Sequence, residues 1–385
     1  MFGIERNIKE SIKRDIERKF VFLSGPRQVG KTTLAKKIIL EEKGRYLLYD
    51  DENDRATILR KEYIHEKWVC LDEFHKYDRW KNHIKGVYDK YHDNLRLILS
   101  GSARLDVFQK SGDSLFGRYY LHHLHPLTVG ELAGNNIKLI LNDIHSNNSK
   151  SEHIHDLLRF GGFPEPFTLQ SEKEHRRWSN ARRTLLIQEE MRELTEIKLL
   201  SLIEHLMLLL PDRIGSQFSY NSLAEEIKVS VPTIQNWMEI FQRLFIVFKV
   251  MPYSNRISRS ILKQPKYYFW DWSQIRDQGI RFENFIASHL FKASQIWTDL
   301  GEADVTLYYV RDRDKREVDF LLVKNNEPWF LVESKLSDTK ISPSLEYFCN
   351  RLNVPGVQLV LQDNINKRVG DISVISADTW LMNLL

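Results

Sequence analysis

Three groups of residues in this sequence have types and spacings suited to chemistry on phosphates. Gly25-Pro26-Arg27-Gln28-Val29-Gly30-Lys31-Thr32, followed by Thr33, fits the pattern G-x-x-x-x-G-K-[ST]. Its glycines let backbone N–H groups turn towards phosphate oxygens, Lys31 supplies a point charge for the β and γ phosphates of ATP, and the Thr32 hydroxyl supplies a ligand for Mg2+. The second group closes the apolar run Trp68-Val-Cys-Leu-Asp72-Glu73. Asp72 would help to hold Mg2+, and Glu73 would polarise the attacking water as a general base. Two solvated acids after a buried strand are common by themselves, and the phosphate loop about 40 residues earlier favours the catalytic reading. The third group is Glu317-Val-Asp319-Phe-Leu-Leu-Val323 with Trp329-Phe-Leu-Val-Glu333-Ser-Lys335. A hairpin with Val323 opposite Trp329 sets Asp319 opposite Glu333, and alternation puts Lys335 on the same face. A slip of one residue would send Asp319 to the other face.

These residues need elements that hold them. The loop lies between an apolar strand, Phe20-Val-Phe-Leu23, and an amphipathic helix from about Lys31 to Ile39, as a phosphate-binding loop requires. Tyr46 to Asp50 reads as a second strand, Trp68 to Asp72 as a third and Leu95 to Leu99 as a fourth. The fourth ends in Ser100-Gly-Ser102, so Ser100 and Ser102 would stand at the carboxyl edge of a parallel sheet, where hydroxyls sense a γ phosphate or orient water. The alternation predicts an α/β fold, a three-layer P-loop sheet covered by helices on both faces.

Residues 135–150 are polar and rich in Asn and Ser, and Gly161-Gly-Phe-Pro-Glu-Pro166 punctuates two helical stretches. The second carries His175-Arg-Arg-Trp178 and Arg182-Arg183, which would suit a phosphate backbone and a base. Glu189, Glu190, Glu193 and Glu196 follow at once, so an ordinary charged helix is favoured. Ser222 to Ile227, a Lys-Val-Ser230 turn and Val231 to Phe241 read as a helix-turn-helix, with Leu244 to Phe248 opening a wing. Thr233, Gln235 and Asn236 would reach a DNA groove. With no Lys or Arg in that second helix before Arg243, a packing role is as well supported.

The 385 residues suffice for two or three domains, and 42% hydrophobic with 28% charged residues fits a globular chain. No run approaches the roughly 18 apolar residues of a membrane helix. The opening residues lack a secretory apolar run, so no membrane association and a cytoplasmic location are expected. Cys70 and Cys349, far apart and in apolar or helical contexts, argue against a disulfide framework or a cysteine zinc site, and a net charge of +4 neither demands nor excludes nucleic acid.

The sequence resembles prokaryotic AAA+ ATPases that carry a winged helix and a restriction-endonuclease-like domain behind the ATPase. The resemblance rests on Ser24 to Thr33, Leu71-Asp-Glu-Phe74, Leu99-Ser-Gly-Ser-Ala103, Gly117-Arg118, Pro126-Leu127 with Glu131, and Gly161-Gly-Phe-Pro164. It implies an AAA+ strand order, a sensor at Ser100 or Ser102, and an arginine near the nucleotide at Arg118. If Arg118 acts on a neighbour's ATP, hydrolysis requires a homo-oligomer. The C-terminal constellation is similar to that of PD-(D/E)xK nucleases, in which the residues matching Asp319 and Glu333 bind Mg2+ and the one matching Lys335 orients or deprotonates water. The family also implies a helix glutamate before the strands, a place held by Glu283. The residue before the acid departs from the strict PD form. Arg311, Arg313, Lys315 and Arg316 would track a phosphate backbone, with Asp312 and Asp314 interleaved against that role.

The expected organisation is an ATPase domain over 1–134, a linker and helical segment over 135–198, a winged helix over 199–256 and a mixed α/β endonuclease-like domain over 257–385. The expected function is ATP binding and hydrolysis with Mg2+, coupled to DNA binding or processing. The alternative is a nucleotide-switched interaction protein with a silent C-terminal lobe and a protein partner.

Overall fold

Continuous apolar runs build the first sheet. β1 (Phe20–Ser24) and β3 (Trp68–Asp72) are buried at every position, as parallel strands covered on both faces must be. The computed structural model describes residues 4–101, 115–134, 152–187, 200–254 and 264–385, and the chain divides into two units between His125 and Pro126. Ser102, the polar stretch 135–150 and the glutamates from Glu189 to Glu196 lie outside the described residues.

In the first unit β2 (Arg45–Leu48), β4 (Arg96–Ser100) and β5 (Tyr119–His123) complete a parallel sheet in the order β2-β3-β4-β1-β5. Its helices are α1 (Lys9–Asp15), α2 (Lys31–Glu41), α3 (Glu52–Arg60) and α4 (Trp80–Tyr91). Because β1 lies between β4 and β5, the chain leaving β1 crosses to the far side of β3, and the carboxyl ends of β1, β3 and β4 stand together there. The register sets Ser100 beside both Asp72 and Leu23. Phe22 stacks on Tyr119 at 4.0 Å, and Asp51 caps α3 by accepting from the N–H groups of Asn53 and Asp54.

The second unit begins with helices α5 (Val129–Leu132), α6 (Ile154–Phe160), α7 (Pro164–Leu169), α8 (Glu172–Leu185) and α9 (Leu200–Leu209). Then come α10 (Tyr220–Ile227) and α11 (Val231–Arg243), capped by Ser219 and Ser230. Lys228 takes a left-handed conformation at the turn between them, and Pro232 sits in the first turn of α11, where its missing N–H costs no hydrogen bond. Leu223, Ile227, Ile234, Trp237, Met238 and Phe241 are buried, as the apolar spacing predicts. The strand expected from Leu244 starts later: Phe245 is left-handed, and β6 runs Val247–Pro252.

An eight-stranded mixed sheet follows in the order β12-β13-β11-β10-β9-β8-β6-β7. Its other strands are β7 (Lys266–Phe269), β8 (Val305–Arg311), β9 (Glu317–Lys324), β10 (Glu327–Lys335), β11 (Gly356–Val360), β12 (Asn366–Val369) and β13 (Ile372–Ser376). The expected boundary at 256/257 falls between β6 and β7, which pair with each other in this one sheet. Helix α12 (Gln278–Asp299) lies against β7 and β8, and α13 (Pro343–Leu352) and α14 (Ala377–Met382) complete the unit. The Asn284 amide accepts from Phe269 N and donates to Phe269 O, so a side chain replaces the missing neighbour of edge strand β7. No helix among the described residues is long and apolar enough to cross a membrane.

Candidate functional site

Backbone angles shape the loop after β1. Gly25 has φ 147°, Gln28 φ 65° and Gly30 φ 104°, and a Cβ on Gly25 would lie 2.3 Å from Leu124 O. Only glycine fits there. Leu124 N donates to Ser24 O at 2.7 Å, and Arg6 ties the loop by donating to Val29 O at 2.8 Å and also to His125 O. Pro26 and Val29 are buried beneath the loop, while Arg27 is half-buried and Gln28, Thr32 and Thr33 are exposed. Lys31 is buried at the start of α2, where its Nζ donates to Gly25 O and Pro26 O, both at 2.8 Å.

Thr32 Oγ1 donates to Asp72 Oδ2 at 2.7 Å, and the Tyr46 hydroxyl donates to the same oxygen at 2.6 Å. Burial and this bond to Asp72 keep the Tyr46 phenol protonated well above its ordinary range. Next to Asp72, Glu73 is held at φ 55°, its N–H donating to Ser100 O and to Asp72 Oδ1. A left-handed glutamate is strained and persists where its surroundings over-determine it. Its Oε2 is buried without a hydrogen-bond partner among the described residues, 3.6 Å from Lys76 Nζ and 3.7 Å from His75 Nε2. Burial raises the Glu73 pKa, with the Lys76 charge pulling the other way. Ser100 Oγ is likewise buried with no hydrogen-bond partner among the described residues. Two orphaned polar atoms beside a glycine cradle, a lysine and a hydroxyl–carboxylate pair fit a nucleotide triphosphate with its divalent ion. Arg118 Nε and Nη2 donate to the two carboxylate oxygens of Asp89 on α4, at 2.6 and 3.3 Å.

In the C-terminal hairpin, Asn325 and Asn326 form a left-handed two-residue turn that pairs Lys324 with Glu327 and Val323 with Pro328, not with Trp329. Trp329 is the extra residue of a bulge, and from Phe330–Leu322 onwards the pairs are the expected ones. The next pair past Val332–Phe320 is therefore Asp319 and Glu333, and Asp319 N donates to Glu333 Oε2 at 3.3 Å. Asp319 Oδ2 accepts from Ser334 N and Ser334 Oγ, and Lys335 Nζ lies 2.8 Å from Glu333 Oε1. Burial, reinforced by the Asp319 charge, pushes the Glu333 carboxyl up to about 7. Glu283 on α12 is also pushed up to about 7 by burial, against the pull of Lys266. Among the described residues, no three His, Cys, Asp or Glu side chains are gathered as a metal-holding group.

Sequence reasoning missed Lys266 on β7, whose Nζ lies 2.7 Å from Glu317 Oε1 and 3.3 Å from Glu283 Oε1. It also missed Tyr268, which donates to Glu283 Oε1 at 2.7 Å. The one signal was a lysine heading an otherwise aromatic strand, Lys266-Tyr-Tyr-Phe269. Elsewhere, Trp178 is buried and Arg182 lies over the Phe163 ring at 4.2 Å, so neither offers a surface for base stacking. Gln235 and Asn236 are exposed on α11, whereas the Thr233 hydroxyl is engaged with Ser230 Oγ at 2.7 Å. Two members of the basic run are paired, Arg311 with Glu317 and Arg316 with Asp312 and Asp314.

Residues 17–133 match a family described as an AAA domain, and residues 151–276 and 278–380 match two domains of unknown function, DUF8612 and DUF4143. An uncharacterized protein of Mycobacterium tuberculosis is 22% identical over 361 residues, covering 88% of this chain and 76% of its own. An uncharacterized protein of Methanocaldococcus jannaschii is 26% identical over 309 residues, covering 68% of this chain and 63% of its own. Among solved structures, the RuvB Holliday junction branch migration motor of Thermotoga maritima matches at 18% identity and a TM-score of 0.31, over 64% of this chain and 90% of that one. Bacteroides Pif1 bound to ssDNA matches at 12% identity and a TM-score of 0.22, over 44% and 49%. With a glycine loop opening α2, an Asp-Glu pair ending the neighbouring buried strand and the family match across both, residues 17–133 are an AAA-type P-loop ATPase domain.

Proposed function

We propose that the protein binds ATP with Mg2+, hydrolyses it, and uses its nucleotide state to govern DNA engagement by the later segments. The observation that carries the hydrolytic part is the convergence of Lys31, Thr32, Asp72, Glu73 and Ser100 at one edge of the parallel sheet. The loop amides and Lys31 bind the phosphates, which requires the Lys31 ammonium to leave the carbonyls of Gly25 and Pro26. Thr32 and Asp72 hold the divalent ion, which when bound supplies positive charge against the developing phosphate charge. Glu73 takes the proton of the attacking water and does so as the carboxylate, so turnover rises with pH as this buried acid ionises. Ser100, with Ser102 a few atoms further along the chain, orients that water or senses the γ phosphate. Arg118 reaches nucleotide only after leaving Asp89, in its own subunit or in a neighbour within an assembly.

DNA engagement is assigned to the exposed Gln235 and Asn236 on α11, read as the second helix of a winged helix, and to the C-terminal lobe. In that lobe Asp319 and Glu333 would hold a divalent ion, and Lys335 would orient water at a phosphodiester. The ion pairing within the lobe favours a second reading, in which a silent lobe serves a nucleotide-switched contact with a protein partner.

Two measurements test the proposal. Lys31→Ala is expected to lose ATP affinity or turnover with its circular dichroism unchanged, and unaltered hydrolysis would reject the site. Supercoiled and linear DNA incubated with Mg2+ or Mn2+, with and without ATP, separates the readings of the lobe. Cutting that vanishes in Glu333→Ala supports a nuclease. An ATPase-active wild type that neither cuts nor binds DNA moves the assignment to the protein-partner reading.

A further inference from the structure

Lys266 is surrounded as a bound ion would be. It is 2% exposed, and its ammonium stands between two carboxylates from different elements, Glu317 Oε1 of β9 at 2.7 Å and Glu283 Oε1 of α12 at 3.3 Å. The Tyr309 ring lies below it, 5.4 Å from Nζ to the centroid. Each acid also has a second donor: Glu283 Oε1, the oxygen facing Lys266, accepts from the Tyr268 hydroxyl, and Glu317 accepts on its other oxygen, Oε2, from Arg311 Nη1 at 2.6 Å. These partners orient the two carboxylates towards one shared cation. Asp319 and Glu333 have separate partners in Ser334 and Lys335.

We infer that Lys266 is an internal cation, its ammonium occupying the position between Glu283 and Glu317 that a divalent ion would take, so that the lobe leaves a divalent ion only the Asp319–Glu333 half. The argument is steric and electrostatic. A divalent ion binds carboxylate oxygens at about 2.0–2.6 Å, inside the distances the ammonium now keeps, so both cannot occupy the gap. A buried lysine beside it would also repel a doubly charged ion at low dielectric. Glu283, which the nuclease-like pattern places among metal ligands, is on this reading a partner of Lys266. The assignment of Asp319 and Glu333 rests on the proposed function; the assignment of Lys266 does not.

The test counts Mn2+ bound per chain, by electron paramagnetic resonance of the free ion, in the full-length protein without nucleotide. Comparison between variants cancels any ion at the phosphate loop. Lys266→Met is expected to bind one more ion than wild type, and adding Glu283→Gln to it should abolish the gain. Glu283→Gln alone should leave the wild-type count unchanged. Equal counts in wild type and Lys266→Met, or a loss in Glu283→Gln alone, overturn the inference. A wild-type count insensitive to Asp319→Asn removes the metal reading of the other half and leaves the Lys266 comparison to decide. If Lys266→Met does not fold, it is refolded with Mn2+: recovery of native circular dichroism with Mn2+ but not with Na+ supports the inference, and failure with both overturns it.

Discussion

Replacing Lys292 by methionine should destabilise the second unit by about 3–5 kcal/mol, the cost of leaving one member of a buried ion pair uncompensated. The side chains of Lys292 on α12 and Glu131 in α5 are each 1% exposed, with Nζ 2.7 Å from Oε2, and Lys292 Nζ also donates to Thr128 Oγ1 at 3.2 Å. Beside them Val129 N donates to His289 Nε2, and burial holds that imidazole down to about 3, so it is neutral and brings no replacement charge. Methionine fills most of the lysine volume, so the loss is chiefly electrostatic. The unfolding constant should then rise by roughly two to four orders of magnitude. Adding Glu131→Leu removes the stranded carboxylate and leaves the Thr128 hydroxyl short of a partner, at about 1 kcal/mol. The double variant should therefore lie close to wild type, far from the sum of the two single variants, because each single variant strands a buried charge and the double variant removes both. Urea unfolding followed by tryptophan fluorescence is the assay, because Trp297 lies on α12 and Trp272 packs against His289. A chain of two units need not unfold in one step, so the transition of the second unit is fitted separately. Single losses that simply add in the double variant would refute the reasoning.

Glu73→Gln should keep ATP binding while lowering turnover by about 10²–10⁴-fold, as single-turnover hydrolysis would show; near-normal turnover would remove Glu73 as the base. Glu333 has its pKa raised from 4.5 to about 7, so between those values the folded chain holds a proton that the unfolded chain has released. Stability from this group therefore falls as pH rises from about 4.5 to 7, by at most about 3 kcal/mol, and Glu333→Gln should flatten that decline in urea midpoints measured across the range. A steeper decline in the variant would contradict the sign. Arg118→Ala should leave the thermal midpoint nearly unchanged, since its pairing with Asp89 is at the surface. If Arg118 serves a neighbouring site, its loss lowers turnover only at concentrations where the wild type assembles, which hydrolysis measured alongside sedimentation would reveal.

What was legible in the sequence was local. The phosphate loop follows from eight consecutive residues, and the carboxylates at the end of β3 from one apolar run. The C-terminal register shows how two local rules combine. The Asn325-Asn326 turn sets Val323 against Pro328, and the bulge at Trp329 then returns Asp319 to the level of Glu333. The starting pair read from the sequence was thus off by one residue, yet the end that matters fell in place because the turn and the alternation of buried side chains demand different registers and a bulge satisfies both. Contacts between distant segments were not legible. Tyr46 reaches Asp72 across neighbouring strands, and Lys266 meets Glu317 across an order of strands that the chain does not follow in sequence. Nothing local to Arg118 pointed to its pairing with Asp89, 29 residues away on α4.

The pairing of β6 with both β7 and β8 also bears on how this chain can be divided. A chain beginning after residue 256 would keep β7 with no strand beside it and bare the side of β8 that now meets Met251 and Pro252. Unpaired backbone of that kind invites edge-to-edge association between molecules. The opposite margin of the sheet is guarded differently: β12, Asn366-Lys-Arg-Val369, is fully exposed and carries two adjacent cations. Helices α10 and α11 and the C-terminal lobe are therefore poor candidates for separate expression or exchange between proteins, since the cut between them runs through a hairpin.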